Sequence, residues 1–258
     1  MSRRENKASS RRMNQAKRLL PVVSAVSAGL LAVHSAQGVN YTWNVLNAGD
    51  ASGSWGVVTN WLPNLNVATG AADTALFNKL DISVDSVISL NSPQTLGTAG
   101  GFPNYNMFFG DTNTATAAGW TINATSATAN DATNILTLTN GFEIVYVDKL
   151  GTGKAVTINA TISNASATGN GLAKSGPGAL VLTANNSALT GTTAVNNGTL
   201  MLDFSQAWSP VANIIGDTST GSAAASHLQL QGGTFVMKGK SGVANAQTFS
   251  NGAAMELG

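Results

Sequence analysis

The chain has no cysteine. No disulfide holds it together, and no thiolate serves as nucleophile or metal ligand. Histidine is nearly as scarce, with only His34 and His227. A Ser-His-Asp triad or a histidine metal site beyond residue 38 would have to use His227, which has no second His or Cys to join it. Charge is also thin. Charged residues make up 10% of the chain, against about a quarter in an ordinary globular domain. Residues 39–258 contain six lysines, no arginine and eleven carboxylates, a net charge of −5. Without a basic stripe to displace counterions, nucleic acid is not an expected partner. Calcium repeats of the G-G-x-G-x-D type are missing too.

Carboxylates are the remaining route to catalysis. Asp81 and Asp85 stand four apart and would share a face of a strand. Asp73, Asp111, Asp131 and Asp217 sit in turn-like contexts such as "GDTN" and "GDTS", where Asp caps a turn by accepting nearby backbone N–H groups. No acid/base pair stands out. The reading is therefore non-enzymatic, with no catalytic residue, no cofactor and no metal site.

The missing basic charge is concentrated at the start. Residues 1–38 carry seven Arg and Lys residues against Glu5, then "LLPVVSAVSAGLLAV" from Leu19 to Val33, then "HSAQG". A basic region, an apolar stretch and small residues are the three parts of a secretory signal. The apolar stretch is short for a membrane span of about 20 residues. Cleavage is expected after Gly38 or after Ala36.

Beyond the leader the chain is rich in Gly, Asn, Thr and Ser, with many short apolar runs between them: "ALF" at 75–77, "MFF" at 107–109, "FEIVYV" at 142–147, "ALVLT" at 179–183, "TLML" at 199–202, "TFVM" at 234–237. These runs are β-branched, aromatic or Leu-rich and partly alternate with period two, so they read as strands bounded by turns. No helical stripe appears in this part. The segment 203–226 is the least regular, and reads as a turn of helix around Trp208 or a protruding loop. "PGALVLT" (177–183), "NGTLMLD" (197–203) and "GGTFVMK" (232–238) share a turn glycine and an apolar triplet, an imperfect internal repeat whose wider second interval an insertion at 203–226 would explain. Two all-β architectures fit. One is a parallel β-helix with about 20–25 residues per coil and about ten coils. The alternative is an antiparallel β-sandwich, in which Asn197-Gly198 closes a hairpin.

The stretch "GLAKSGPGALVLTANNSALTGTTAVNNGTLML" (171–202) resembles the autotransporter-associated β-strand repeat of exported bacterial passenger-type proteins. Gly171, Leu172, Lys174, Gly176, Gly178, Leu180, Leu182, Asn186, Gly191, Thr193, Val195, Gly198, Thr199 and Leu200 fill the places of that repeat in order. Leu189 stands where the family has an aromatic residue. "TWNVLNAGDASGSWGVVTNW" followed by "DTALFN" is similar to the segment that precedes such repeats. The resemblance implies a right-handed parallel β-helix, exported and displayed or released, with a structural or adhesive role.

The expected organisation is a signal peptide at 1–38, an N-terminal cap and first coils at 39–110, and a β-helix at 111–258. That β-helix lacks a recognisable C-terminal cap, which suggests that it continues in a longer product bearing an outer-membrane part. Expected partners are surface glycans, other surface proteins, or a second copy through the uncapped end. A carbohydrate-binding module or a degraded polysaccharide lyase is the alternative function. Trp43, Trp55 and Trp61 distinguish them: exposed, they would stack against sugars; buried, they would close the first coil.

Overall fold

A computed structural model describes residues 38–98, 105–139, 143–164, 170–216, 228–249 and 256–257. The chain divides into two units, Met1–Gln37 and Gly38–Gly258, and all the described residues belong to the second. The leader reading, apart from Gly38, lies outside them, as do His227 and Asp217.

The described unit is all-β. Its strands follow one another in passes. The first pass holds β1 (Asn40–Trp43), β2 (Gly53–Ser54) and β3 (Trp61–Leu62). The next three hold β4 (Thr74–Phe77), β5 (Ser86–Ser89) and β6 (Gln94–Leu96); β7 (Met107–Phe109), β8 (Trp120–Asn123) and β9 (Leu136–Leu138); then β10 (Glu143–Val147), β11 (Val156–Ile158) and β12 (Ile162–Asn164). The remaining passes hold two strands each: β13 (Asn170–Ser175) and β14 (Ala179–Leu182), β15 (Thr192–Val195) and β16 (Thr199–Asp203), β17 (Leu228–Leu230) and β18 (Thr234–Lys238). The two-residue β19 (Glu256–Leu257) comes last.

Strands of equivalent position stack into three sheets. The first runs β19-β17-β15-β13-β10-β7-β4-β1-β3, the second β18-β16-β14-β11-β8-β5-β2, and the third β12-β9-β6. The pairing of β1 with β3 is antiparallel. All other strand pairings among the described residues are parallel. This overturns the hairpin at Asn197-Gly198. β15 and β16 do not pair with each other; each pairs in parallel with strands of the neighbouring passes. The chain turns at Gly198 (φ +66) to leave one sheet and enter another.

Period-two alternation places one set of side chains in the core. In the second sheet Ile88, Ile122, Ile158, Leu182 and Leu202 follow one another in register, each fully buried. In the first sheet Phe77 stacks on Phe109 with ring centroids 4.8 Å apart and planes 6° apart. Each such aliphatic residue contributes about 1.5–3 kcal/mol of burial, and the ladders repeat it on every pass.

The spacing between partners is less regular than the expected 20–25 residues. It runs from 20 (Leu182 with Leu202) to 42 (Gln94 with Leu136). The early passes are longer because they also build a strand of the third sheet. In the fifth pass Asn186 takes that place, bridging in parallel to Ile215. Among the described residues the second sheet has seven strands, against about ten expected coils. Residues 204–209 form turns and no helix, and the Trp208 indole N–H donates to Thr183 Oγ1 at 3.0 Å.

Candidate functional site

The repeat motif is a set of packing and capping positions. Leu172, Leu180, Leu182, Val195 and Leu200 are fully buried. Thr193 is 1% exposed, and Thr199 pairs with Ala179 below it and Thr234 above it. A Cβ on Gly178 would meet Asp148 O at 2.1 Å, and one on Gly198 would meet Gly178 O at 2.3 Å, so glycine is required where successive turns approach. Gly171 is as tight, with Thr192 O at 2.6 Å from such a Cβ. Gly176 and Gly191 hold φ +79 and +94. Asn186 is buried and satisfied: Ile162 N–H donates to its Oδ1 at 2.6 Å, and its Nδ2 donates to Ala184 O at 3.1 Å.

Lys174 belongs to the same set in a less obvious way. Its register neighbours Val145 and Val195 are core residues, and Lys174 itself is fully buried. The ammonium donates to three backbone carbonyls, Ser175 O at 2.9 Å, Gly176 O at 2.8 Å and Asn197 O at 3.1 Å. It ties the corner of one pass to the corner of the next. Burial pushes its pKa down to about 8.

Trp43, Trp55 and Trp61 are fully buried. Trp61 packs edge to face on Trp43, Trp55 and Phe77, and Trp43 and Trp55 lie tilted against Phe77, with centroids 4.8–5.9 Å apart. Their indole N–H groups donate to Ala51 O, Ala68 O and Trp55 O, each at 2.8 Å. No face of these rings is open to a sugar. At this end β3 runs antiparallel along β1, and the rings fill the core of the first pass.

The aspartates serve turns and pass-to-pass contacts. Asp81 and Asp85 lie outside strands, so they do not share a strand face as the spacing suggested. Asp81 accepts from Thr116 Oγ1 at 3.2 Å. Asp85 receives both the Lys154 ammonium at 2.8 Å and the Gly119 N–H at 2.7 Å, and the lysine hydrogen bond first of all lowers its pKa. Asp131 caps Thr133, which lowers its pKa likewise. Asp73 accepts Val39 N–H at 2.9 Å, and Asp111 accepts Ile82 N–H at 2.7 Å. Asp85 and Asp131, whose hydrogen bonds favour the ionised form, are poor general acids. No cluster of three or more His, Cys, Asp or Glu residues suited to a metal occurs among the described residues.

Glu143 was not singled out from the sequence, although the alternation in "EIVYV" places it on the same face as Val145 and Val147. It is fully buried, and neither carboxylate oxygen has a hydrogen-bond partner. Burial pushes its pKa up to about 7.

The outer face of the first sheet has a different character. One outward row runs Ile144, Ala173, Ala194, Gln229 in register. Beside it, Tyr146 pairs with Ser175, and Asn196 Nδ2 donates to Ser175 Oγ at 3.1 Å. Two consecutive alanines between larger side chains leave a trough of about 300 Å³, lined by Ile144, Ala173, Ala194, Asn196, Gln229 and Gln231. Tyr146 also meets Phe108 and Tyr105, at centroid distances of 4.7 and 4.9 Å. All three rings are half-buried.

No helix among the described residues is long and apolar enough to cross a membrane. In comparisons with known proteins, no family model, no curated protein and no solved structure matches the chain.

Proposed function

We propose that residues 39–258 form a parallel β-helix, right-handed as crossover connections between parallel strands almost always are, that serves outside the cell as a non-enzymatic structural or adhesive element of the passenger type. The observation that carries this reading is where the polar groups are used. Asn159 Nδ2 donates to Asn123 Oδ1, and Thr183 Oγ1 donates to Asn159 Oδ1, each at 2.8 Å and across 36 and 24 residues of chain. The Lys174 ammonium spans 23 residues to Asn197 in the same manner. Side chains that would build an active site elsewhere are here committed to joining one pass to the next. The chain thus resembles a scaffold whose product is its own surface, and multiple weak contacts along such a surface would add in avidity.

Export is tested by expressing the full chain in a Gram-negative host and fractionating the cells. The expected product begins at Val39 or Gln37 and lies outside the cytoplasm. A full-length chain retained in the cytoplasm would overturn the export reading. A crystal structure showing left-handed or non-solenoidal connections would overturn the architecture.

A further inference from the structure

The trough on the first sheet has the chemistry of a binding site for a polar but uncharged ligand. Its floor is Ala173 and Ala194, 3% and 6% exposed, so the surface there is close to the sheet itself. Its polar lining consists of the amides of Asn196, Gln229 and Gln231. No lysine, arginine or carboxylate lines the trough. At one end stands the Tyr105–Phe108–Tyr146 cluster, in a chain with only 6% aromatic residues, where four of the five tryptophans are buried in the core.

The alternatives are weaker on the same observations. A peptide adding as a strand needs a free sheet edge, but β10, β13, β15 and β17 are each paired on both sides. A phosphate or nucleic-acid ligand needs cations, and the trough has none. The amides of Gln229 and Gln231, which both donate and accept, a shallow apolar floor and an aromatic edge match the hydroxyls and C–H faces of a sugar ring. The aromatic residues also have a local packing role: a Cβ on Gly176 would meet Tyr146 Cε1 at 3.0 Å. That contact accounts for the position of one ring edge, and does not account for a three-ring cluster beside an amide-lined cavity.

We propose that this trough binds a neutral oligosaccharide laid along the stacking direction over Ala173 and Ala194, against the amides of Asn196, Gln229 and Gln231, with Tyr146 at its end. The inference supplies a ligand class for the adhesive reading and rests on it. Its test uses purified protein, so its outcome is separate from that of the export experiment. Calorimetric titration with neutral hexasaccharides of glucose, galactose and mannose is compared with polygalacturonate. The expected result is saturable binding of at least one neutral probe and none of the uronate. Tyr146→Ala and Asn196→Ala each weaken it by about tenfold or more, a loss of about 1.4 kcal/mol. Ala194→Gln, which fills the trough from an outward position, abolishes it at an unchanged melting temperature. Thr157→Ala, on the outer face of the second sheet, leaves it intact. Absence of neutral-sugar binding by the folded protein, preference for polygalacturonate, or binding unchanged in the folded Ala194→Gln variant would each overturn the proposal.

Discussion

At the scale of single residues, two buried ionisable groups of the first sheet, Lys174 and Glu143, behave in opposite ways. Lys174 is desolvated, but its ammonium has three carbonyl partners. Those bonds offset only part of the desolvation: its pKa still falls from 10.5 to about 8, a net penalty on the ammonium on the order of 3 kcal/mol at pH 7. Lys174→Met removes the charge and also leaves three corner carbonyls without their donor. The expected loss of stability is about 2–4 kcal/mol, read from urea unfolding at pH 7; an unchanged midpoint would mean that the ammonium contributes nothing. Glu143 has no partner to offset its burial. Its pKa rises from 4.5 to about 7 in the fold, so between these values the folded state holds a proton that the unfolded chain has released. Stability from this group is therefore greatest below pH 4.5 and falls as pH rises to 7, by an amount on the order of 3 kcal/mol. Glu143→Gln should flatten that slope and raise the melting temperature at pH 8 while changing little at pH 4.5. Equal shifts at both pH values would sink this account.

At the scale of elements, the register of the second sheet was legible in the sequence. "GALVL", "GTLML" and "GTFVM" align by eye, and the structure pairs them residue for residue: Ala179, Thr199 and Thr234; Leu180, Leu200 and Phe235; Val181, Met201 and Val236. The glycines before them are equivalent because each sits where the backbone of the neighbouring pass comes closest. The pair Asn197-Gly198 carried the wrong inference, since the same left-handed glycine that closes a hairpin also turns a corner between sheets. The third sheet was legible only at β9, in the alternation of "ILTLT" at 135–139. Its strands are three residues long, and elsewhere so short an alternation is lost among loop residues. The trough on the first sheet was hidden for another reason. Ala173 and Ala194 lie 21 residues apart in sequence, and only pairing makes them neighbours. The clearest test at this scale is Gly198→Val. A Cβ there would lie 2.3 Å from Gly178 O and 2.6 Å from Gly176 O, at φ +66. Strain from a branched residue in the left-handed region costs about 1–3 kcal/mol, and the clash adds to it. A large fall in melting temperature is expected for Gly198→Val. A much smaller one is expected for Gly153→Val, where φ is also positive (+73) but no atom lies within 4 Å of the Cβ. Equal falls at both sites would show that backbone conformation, and not the approach of successive passes, dominates.

At the scale of the whole described unit, stability is unevenly distributed along the stack. Apart from β1 with β3, strands pair only with the strands of adjacent passes, and core contacts between sheets, such as Phe77 with Trp120, are likewise local, so local stability follows local packing. Near the N-terminal end Trp43, Trp55, Trp61, Phe77 and Trp120 are fully buried, β3 covers the side of β1, and Asn60 Nδ2 donates to Ser54 O at 2.9 Å on the edge strand β2. Short, covered edges resist fraying and aggregation. Toward the other end, β18 stands at the edge of the second sheet. Its Met237 is 43% exposed, whereas the register partner Leu202 is fully buried, so much of its apolar area gains nothing from burial. Trp208, 38% exposed, lies between these extremes. Native-state hydrogen exchange should accordingly show the slowest amides in β4, β7, β8 and β11, with β17 and β18 at least tenfold faster. Thermal unfolding followed by buried-tryptophan fluorescence should lag behind the far-ultraviolet dichroism, because four of the five indoles report on the well-packed end. Mutating Trp208 to Phe removes the one indole of the later passes and should widen the gap between the two transitions. Coincident transitions together with uniform protection would show that the stack unfolds as one cooperative block, in which the tryptophan core stabilises the distant passes as strongly as its own.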